Sequence, residues 1–504
     1  MSKLLSGGRL ASTRKDVTEF ISSIKSDKKL LGAVIQINKA HVAMMMEQKI
    51  VDWQTGAKLL QALSGAESEI KLEPWLEDVH MAVEEEISKK AGPEVGGNIH
   101  IGKSRNDQVS TAIRMILRKE LMNVVSSAVG LQEVLIKLAE KHTEIVVPGY
   151  THLRAAQPVT FAHYLLSHVD ALERDIHRLE ENYPRVNLCP MGAGALATSS
   201  FPIDRGRVAD LLGFGGVLEN SIDAVGSRDF VLETLANLTI LAINMSRFAE
   251  DLIVWSTPDF GVIELTESFS STSSMMPQKK NPDVLEIIRA KMSHVLGDFV
   301  TSATVMKALP SSYNLDFQEI TPRLWESIDE VVCSLCIFSK LVAELEVNQN
   351  LADDPFLKFA ASTELANILV RKYGVPFRIA HKVVGSLVKH MIDEGLDFTD
   401  ATPELLRTVA KDSSNLSLNV EAEDVRTSVD PKKFVEAHKT TGGPSPAEVK
   451  RMMGIRKEWA NASRAWLSEK KSKLEETADK LKHVVSDYAT PDKNPQRLKA
   501  ALNK

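Results

Sequence analysis

Along the middle of the chain apolar residues recur in alternating steps of four and three: Leu117, Leu121, Val124, Ala128, Leu131, Leu135 and Leu138. A helix presents that series as one lengthwise stripe, so the pattern predicts a helix of about five turns or more, packed along other helices. The same alternation runs through Val231, Leu235, Leu238, Ala242, Met245, Ala249 and Leu252, and less regularly through Phe161, Leu165, His168, Leu172, Ile176 and Leu179. Two further helical stretches, 282–306 and 322–345, complete an expected five-helix bundle.

The stripes are interrupted at "VVPGYTHLRAAQP", "CPMGAGALATSSFP", "STSSMMPQKKNP" and "LPSSYNLDFQEITP", all rich in Gly, Pro, Ser or Thr. Residues 1–103 read as shorter helices forming an N-terminal domain, and 104–353 as the bundle domain. Residues 354–453 read as a smaller helical domain, and 454–504 as a charged, helix-prone tail that is solvated or lies at an interface. The fold class is all-α.

Composition adds exclusions. In 504 residues, 43% are apolar and 25% charged, with a formal net charge of −6, which does not describe a nucleic-acid binder. No N-terminal apolar run has signal-peptide character, and no later segment reaches the uninterrupted apolar length of a membrane span, so a cytoplasmic protein is expected. Three cysteines, Cys189, Cys333 and Cys336, are too few for a disulfide framework, and "CSLC" inside an apolar helical run predicts buried thiols. No HExxH or comparable spacing predicts a metal.

The polar chemistry collects in the breaks. In "SSTSSMMPQKKNPD" the pair Asn281–Pro282 predicts an N-cap and first helical position, with Asp283 and Glu286 in the early turns. Lys279 and the Asn281 cap then stand beside a positive helix end, a setting for a carboxylate or phosphate. Ser273 lies six residues before Lys279, where cations and amide donors would stabilise its alkoxide and make it a base. The competing reading is a solvated hydroxyl-rich linker.

Thr151 and His152 precede another helix, and an imidazole suits proton transfer near neutral pH, with Glu286 a candidate to orient it. A lone His is more often structural. Lys103, Ser104, Arg105 and Asn106 at a helix entrance form a second anion-holding cluster, or simply a cap with surface charges. Tyr313, Asn314 and Gln318 add neutral polar groups. Breaks at opposite ends of rod-like helices meet when rods from several subunits pack side by side, so a homo-oligomeric site is expected.

At these residues the sequence resembles the argininosuccinate lyase branch of the fumarase and aspartase superfamily. The superfamily pattern GSSxMPxKxNP corresponds to "TSSMMPQKKNP", and "GKSRNDQV", "AQPVTFAHYLLSH", "GAGALATSSFPIDR", "NSIDAVGSRDFV" and "LVRKYGVPFRIAH" are also similar to that branch, from about Ser6 to Met453. The resemblance implies a three-domain fold whose five-helix bundles assemble into a twenty-helix homotetramer core, with sites where three subunits meet. It implies reversible β-elimination of argininosuccinate to arginine and fumarate, without metal or organic cofactor.

Carried over, Ser273 is the base, His152 oriented by Glu286 the acid or proton relay, and Lys279 and Asn281 the carboxylate holders. Ser23, Asn106, Thr151, Tyr313 and Gln318 fall on substrate-binding positions, beside Ser104 and Arg105. Three departures stand out: Thr272 replaces the pattern's Gly, Arg154 and Ala155 follow "THL" where the family often has Gln and a basic residue, and Thr321 replaces an expected Lys. Arg323 is a candidate to supply that lost contact. The competing functional readings are a lyase for another succinyl-amine, and a non-catalytic structural homologue like the δ-crystallins.

Overall fold

The computed structural model describes residues 14–73 and 75–490; the first and last residues of the expected N-terminal domain and tail lie outside the described residues. Five long helices form the centre: α1 (Arg105–Lys141), α2 (Phe161–Val186), α3 (Asp229–Trp255), α4 (Asp283–Met306) and α5 (Phe317–Ala343). Helix α1 packs on α2 and α5, α4 lies against α3 and α5, and α2 meets α3, which closes a ring. Every residue of the α1 stripe is at most 4% exposed, and the α3 stripe is equally buried. A fully buried Leu contributes about 2 kcal/mol, so the stripes hold the bundle together.

By length and composition α1 could cross a membrane, contrary to the expectation from the sequence. Its apolar positions are spent on neighbouring helices, and it carries two buried arginines. Arg114 donates to the carbonyls of Arg185 (2.8 Å) and Val186 at the C-terminal end of α2, and lies 3.8 Å over the Phe230 ring. Arg118 donates to Leu212, Gly213 and the Asn187 side chain, at 2.7 to 2.9 Å. Cations at a helix C-terminus satisfy carbonyls that the helix leaves open. Burial pulls both guanidinium groups down to about 10, which leaves them charged near neutrality.

Alternation along the ring sets two ends. At the near end α1, α3 and α5 begin, and Arg228, just before α3, donates to Ser110 on α1. At the far end Trp255, the last residue of α3, meets Tyr150 and Phe161 at ring separations of 6.1 and 6.3 Å. A hairpin of β1 (Val146–Thr151) and β2 (Arg154–Thr160) occupies that end, where the sequence predicted only a loop. Short strand pairs β3 (Ile263–Glu264) with β6 (Glu346–Val347), and β4 (Ser271–Thr272) with β5 (Lys280–Asn281), complete the strand content of the described residues.

Three expectations need correction. Helix α5 starts at Phe317 rather than at 322, because Pro322 is tolerated inside the helix near its start. Cys333 and Cys336 are exposed on the isolated chain and only Cys189 is buried, since Val331, Leu335 and Phe338 take the inward face of α5. The third concerns the C-terminal region. A separate small core, with Leu365, Leu369, Leu387, Phe398 and Leu406, lies within 365–429. Helix α6 (Pro446–Tyr488) then runs unbroken through 453, where the sequence suggested a boundary.

Helix α6 returns along α1 and α2 to the N-terminal helices. Arg456 pairs with Asp170 (2.6 Å) and Arg464 with Glu133 (2.7 Å) on the way. At its end Tyr488 is buried, packs at a tilt on Trp53 (ring centroids 5.0 Å apart), and donates to Glu47, which Arg207 also holds. Tyr488→Ala is expected to lower unfolding stability by about 3 kcal/mol through the cavity it leaves, and Tyr488→Phe by about 1–2 kcal/mol through the lost charged hydrogen bond. Denaturant titration measures both; wild-type midpoints for the two variants would mean that α6 does not anchor the fold.

Candidate active site in two halves

At the near end Ser104 caps α1. Its Oγ accepts from the Asn106 amide while the Asp107 carboxylate accepts from the Ser104 amide, a reciprocal capping box. Asp107, fully buried, also accepts from Gly192 (3.0 Å) and Gly194 (2.8 Å), docking the glycine-rich loop on the helix start. Gly194 sits at φ 63°, where a Cβ would meet the Thr198 carbonyl at 2.5 Å, so that turn requires glycine. This docking lets Asn106 donate to the Ala195 carbonyl (3.1 Å).

The capped helix start borders a cavity of about 180 Å³, lined by Ser23, Arg105, Asn106, Tyr313 and Gln318. Five of the residues singled out in the sequence thus come together from three separate segments. Gln318 is held by donation to the Ile21 carbonyl (2.8 Å), and Pro322 has no amide to offer the Gln318 carbonyl. Ser104 and Lys103 are outside the lining: Ser104 is the cap, and Lys103 is buried with its amine on Asn38 and pushed down to about 8 by that burial.

The same cavity contains residues that sequence reasoning missed: Asp27, Glu77, Asp78, His80 and Arg228. Asp27 accepts from Ser23 Oγ at 2.6 Å, and burial raises its carboxyl to about 6 against that hydrogen bond. Arg105 spans Glu77 (3.3 Å) and Asp78 (3.2 Å). Arg228 lies 4.7 Å over the Phe317 ring and donates to the Val225 and Ser227 carbonyls. With three carboxylates around two committed arginines, this half is suited to a cationic group. The spacing of Ser23 and Asp27, four apart at a helix start, was the available signal.

At the far end Thr151 and Arg154 close a hairpin turn on His152 and Leu153, both at φ 56°. Two consecutive left-handed residues match a type I′ turn, which usually carries Asn and Gly. The turn holds His152 out from the bundle, exposed. Below it a bulge at Gly149, where a Cβ would meet the Gln157 carbonyl at 2.8 Å, lets Tyr150 pack 5.1 Å from Phe260.

The loop between β4 and β5 stands at the same end. Ser273 Oγ accepts from the amides of Met275 (3.2 Å) and Met276 (3.1 Å), so two donors converge on the hydroxyl oxygen. Lys279 is exposed, whereas Lys280 is committed to Glu264 (2.7 Å). Asn281 does not cap α4: it lies in β5, opposite Ser271, with its side chain 3.4 Å from Ser271 Oγ, and the helix starts at Asp283 after Pro282. Thr272 sits in extended β4 opposite Lys280, where a β-branched residue is at home and glycine freedom is unnecessary.

Within one chain the two ends do not meet. The 27 residues of α3 separate them by about 40 Å at about 1.5 Å per residue. Thr151, His152, Ser273, Lys279, Asn281 and Glu286 belong to the far end, and Ser23, Arg105, Asn106, Tyr313 and Gln318 to the near end. Among the described residues no hydrogen bond or ion pair joins His152 to Glu286, the partner suggested for it. Arg323, suggested as the substitute for the Lys missing at Thr321, is turned away onto Glu326 (2.6 Å) and Asp298 (3.5 Å).

Comparison with known proteins adds an independent line. Residues 14–297 match the lyase family and 359–436 match the argininosuccinate lyase C-terminal family. The argininosuccinate lyase of Methanococcus maripaludis is 41% identical over 484 residues, covering 95% of this chain and 99% of its own. That of Methanocaldococcus jannaschii is 41% identical over 492 residues, covering 96% and 99%. Among solved structures, an EDDS lyase variant with bound fumarate has a TM-score of 0.85 at 30% identity, over 92% of each chain.

The raised Asp27 carboxyl has a consequence for stability. Below about pH 3 it is protonated in folded and unfolded chains alike; as pH rises through about 6 the unfolded chain has already ionised and the folded chain follows at a desolvation cost. Asp27→Asn, which keeps a partner for Ser23, is therefore expected to stabilise the chain by about 2–3 kcal/mol above pH 7 and hardly at all near pH 3. Denaturant midpoints at the two pH values read this out. An equal effect at both would remove Asp27 as the titrating group.

Proposed function

The chain belongs to the argininosuccinate lyase family, a carbon–nitrogen lyase that releases arginine and fumarate from argininosuccinate, and from that premise we propose that its active site is completed only between copies of the chain. The observation that carries this reading is the separation of the two halves by the length of the bundle. Each half has one part of the chemistry. The near half has the acids and neutral hydrogen-bonding groups that fit the arginyl end; the far half has the serine, imidazole and lysine that fit the succinyl end.

In the far half the hydroxyl of Ser273, as alkoxide, takes a proton from the succinyl carbon next to a carboxylate. Its two amide donors lower the cost of carrying that negative charge. The electron pair left on carbon delocalises into the carboxylate, and Lys279 with the amides at the start of α4 stabilises the doubled charge. The pair then returns to form the carbon–carbon double bond of fumarate while the carbon–nitrogen bond breaks. The departing guanidino nitrogen takes a proton from His152 or through it, with Glu286 of another copy available to orient the ring. Thr151 and Asn281 hold the succinyl carboxylates.

In the near half Asp27, steadied by Ser23, receives the α-ammonium of the arginyl end, and Asn106, Tyr313 and Gln318 supply neutral hydrogen bonds. A homotetramer with a twenty-helix core meets the need for opposite ends to come together, because antiparallel neighbours place a near end beside a far end. Ile240 and Ile243 on α3, and Ile287, Leu296 and Val300 on α4, are exposed on the single chain, an apolar surface of the kind that another copy covers.

Release of fumarate, followed by its absorbance, tests the reaction. Ser273→Ala is expected to lower kcat by about 10² to 10⁴-fold without changing the native mass, and a loss of only a few-fold would take the base role away from Ser273. Sharing between copies is tested by complementation. Ser273→Ala and Gln318→Ala chains, each nearly inactive, should regain activity when unfolded together and reassembled. Mixed oligomers that stay as inactive as their parents would mean that each site is built from one chain.

A further inference from the structure

Among the described residues, the cations lining the near half of the site, Arg105 and Arg228, are both committed to other partners. The substrate end there is an amino acid, with an α-carboxylate beside the α-ammonium, so a complete site needs a positive group as well as Asp27. Arg105 is occupied by Glu77 and Asp78. Arg228 is fully buried on backbone carbonyls and stacked on Phe317. Thr321, in the cavity wall, spends its hydroxyl on the Phe317 carbonyl one turn back. Arg323 is paired with Glu326 and Asp298.

Directly beside the cavity lies a second and larger cleft, of about 720 Å³, which shares Ser23 and Gln318 with it as common walls. Its rim carries Lys25, Lys28 and Lys29. Lys29 is committed to Asp329 (2.8 Å) and Glu120 (3.6 Å), and sits over the Trp325 ring. Lys25 and Lys28 have no ion-pair partner among the described residues, and both are exposed. Lys25 lies between Ser23 and Asp27 on the same short turn, so its backbone is fixed by two residues of the cavity wall.

We propose that Lys25, seconded by Lys28, holds the α-carboxylate of the arginyl end in the cleft shared through Ser23 and Gln318, and thereby selects substrates that carry that carboxylate. This rests on the argininosuccinate reading and adds the residue that sets specificity at its amino-acid end. The side chains are long and solvated, so their contribution lies in selection and binding rather than in the elimination step.

The reverse reaction separates the two claims. Fumarate is offered with arginine, or with agmatine, which lacks the α-carboxylate. The wild-type protein is expected to favour arginine. In Lys25→Ala/Lys28→Ala, KM for arginine should rise about 10 to 100-fold, the loss of one charge-assisted contact, and the preference over agmatine should fall by the same factor. Lys25→Arg/Lys28→Arg should restore both. Far-ultraviolet circular dichroism and native mass check that the variants assemble, and a variant that fails to assemble is replaced by the single Lys25→Ala, read in the same way. An unchanged arginine-to-agmatine ratio in an active variant overturns the role of Lys25 alone. A wild-type protein that neither cleaves nor forms argininosuccinate overturns the functional reading and this inference with it.

Discussion

A long helix neither bends back nor shortens, and the rest of this structure depends on that rigidity. Helix α3 spans 27 residues and α1 spans 37, so groups placed at opposite ends are held several nanometres apart. The apolar stripes bury these helices against one another and leave no freedom to bring the ends together. The proposed site, with groups at both ends, therefore requires neighbouring bundles that lie alongside in opposite directions. The exposed isoleucines of α3 and α4 give such neighbours a surface to cover.

Charge follows the same division. The near end concentrates buried ionic groups, with Arg114, Arg118 and Arg228 all seated on backbone carbonyls and Asp107 on backbone amides. A buried charge without partners would cost several kcal/mol, and these have partners in fixed positions; Arg228 is the one of them that lines the cavity. At the far end Lys280 is paired with Glu264, whereas Lys279 and His152 project from an exposed loop and a hairpin tip with no ion-pair partner among the described residues. In the proposed shared site, a recognition cavity with buried ionic groups would face the serine loop across two copies of the chain, an arrangement suited to a substrate with an amino-acid group at one end and two carboxylates at the other.

The parts of the site that were legible in the sequence are those written contiguously. Ser273, Lys279 and Asn281 sit within nine residues, and their pattern could be read as one device, although the cap assigned to Asn281 is instead a strand pairing with Ser271. Asp27, Glu77, Asp78 and Arg228 were not legible, because they come from three distant segments and each alone looks like a surface charge. The hairpin at 146–160 was missed for a related reason. Its second strand, "RAAQPVT", has little strand propensity, and what holds it is the packing of Tyr150 on Trp255 and Phe260. Likewise, whether Cys333 and Cys336 are covered depends on which side of α5 faces the ring, which a short apolar run does not reveal.

Local periodicity determined that there are five long helices and gave the stripes of three of them, because a 3.6-residue repeat is a property of neighbours along the chain. The family pattern in the loop determined the reaction type for the same reason. Tertiary structure alone decided that Ser23, Asn106, Tyr313 and Gln318 share one cavity, that Arg323 turns away from it, and that α6 runs back to close on Glu47 through Tyr488. Those outcomes depend on which buried face meets which across hundreds of residues, and on charges that choose partners only when desolvated together.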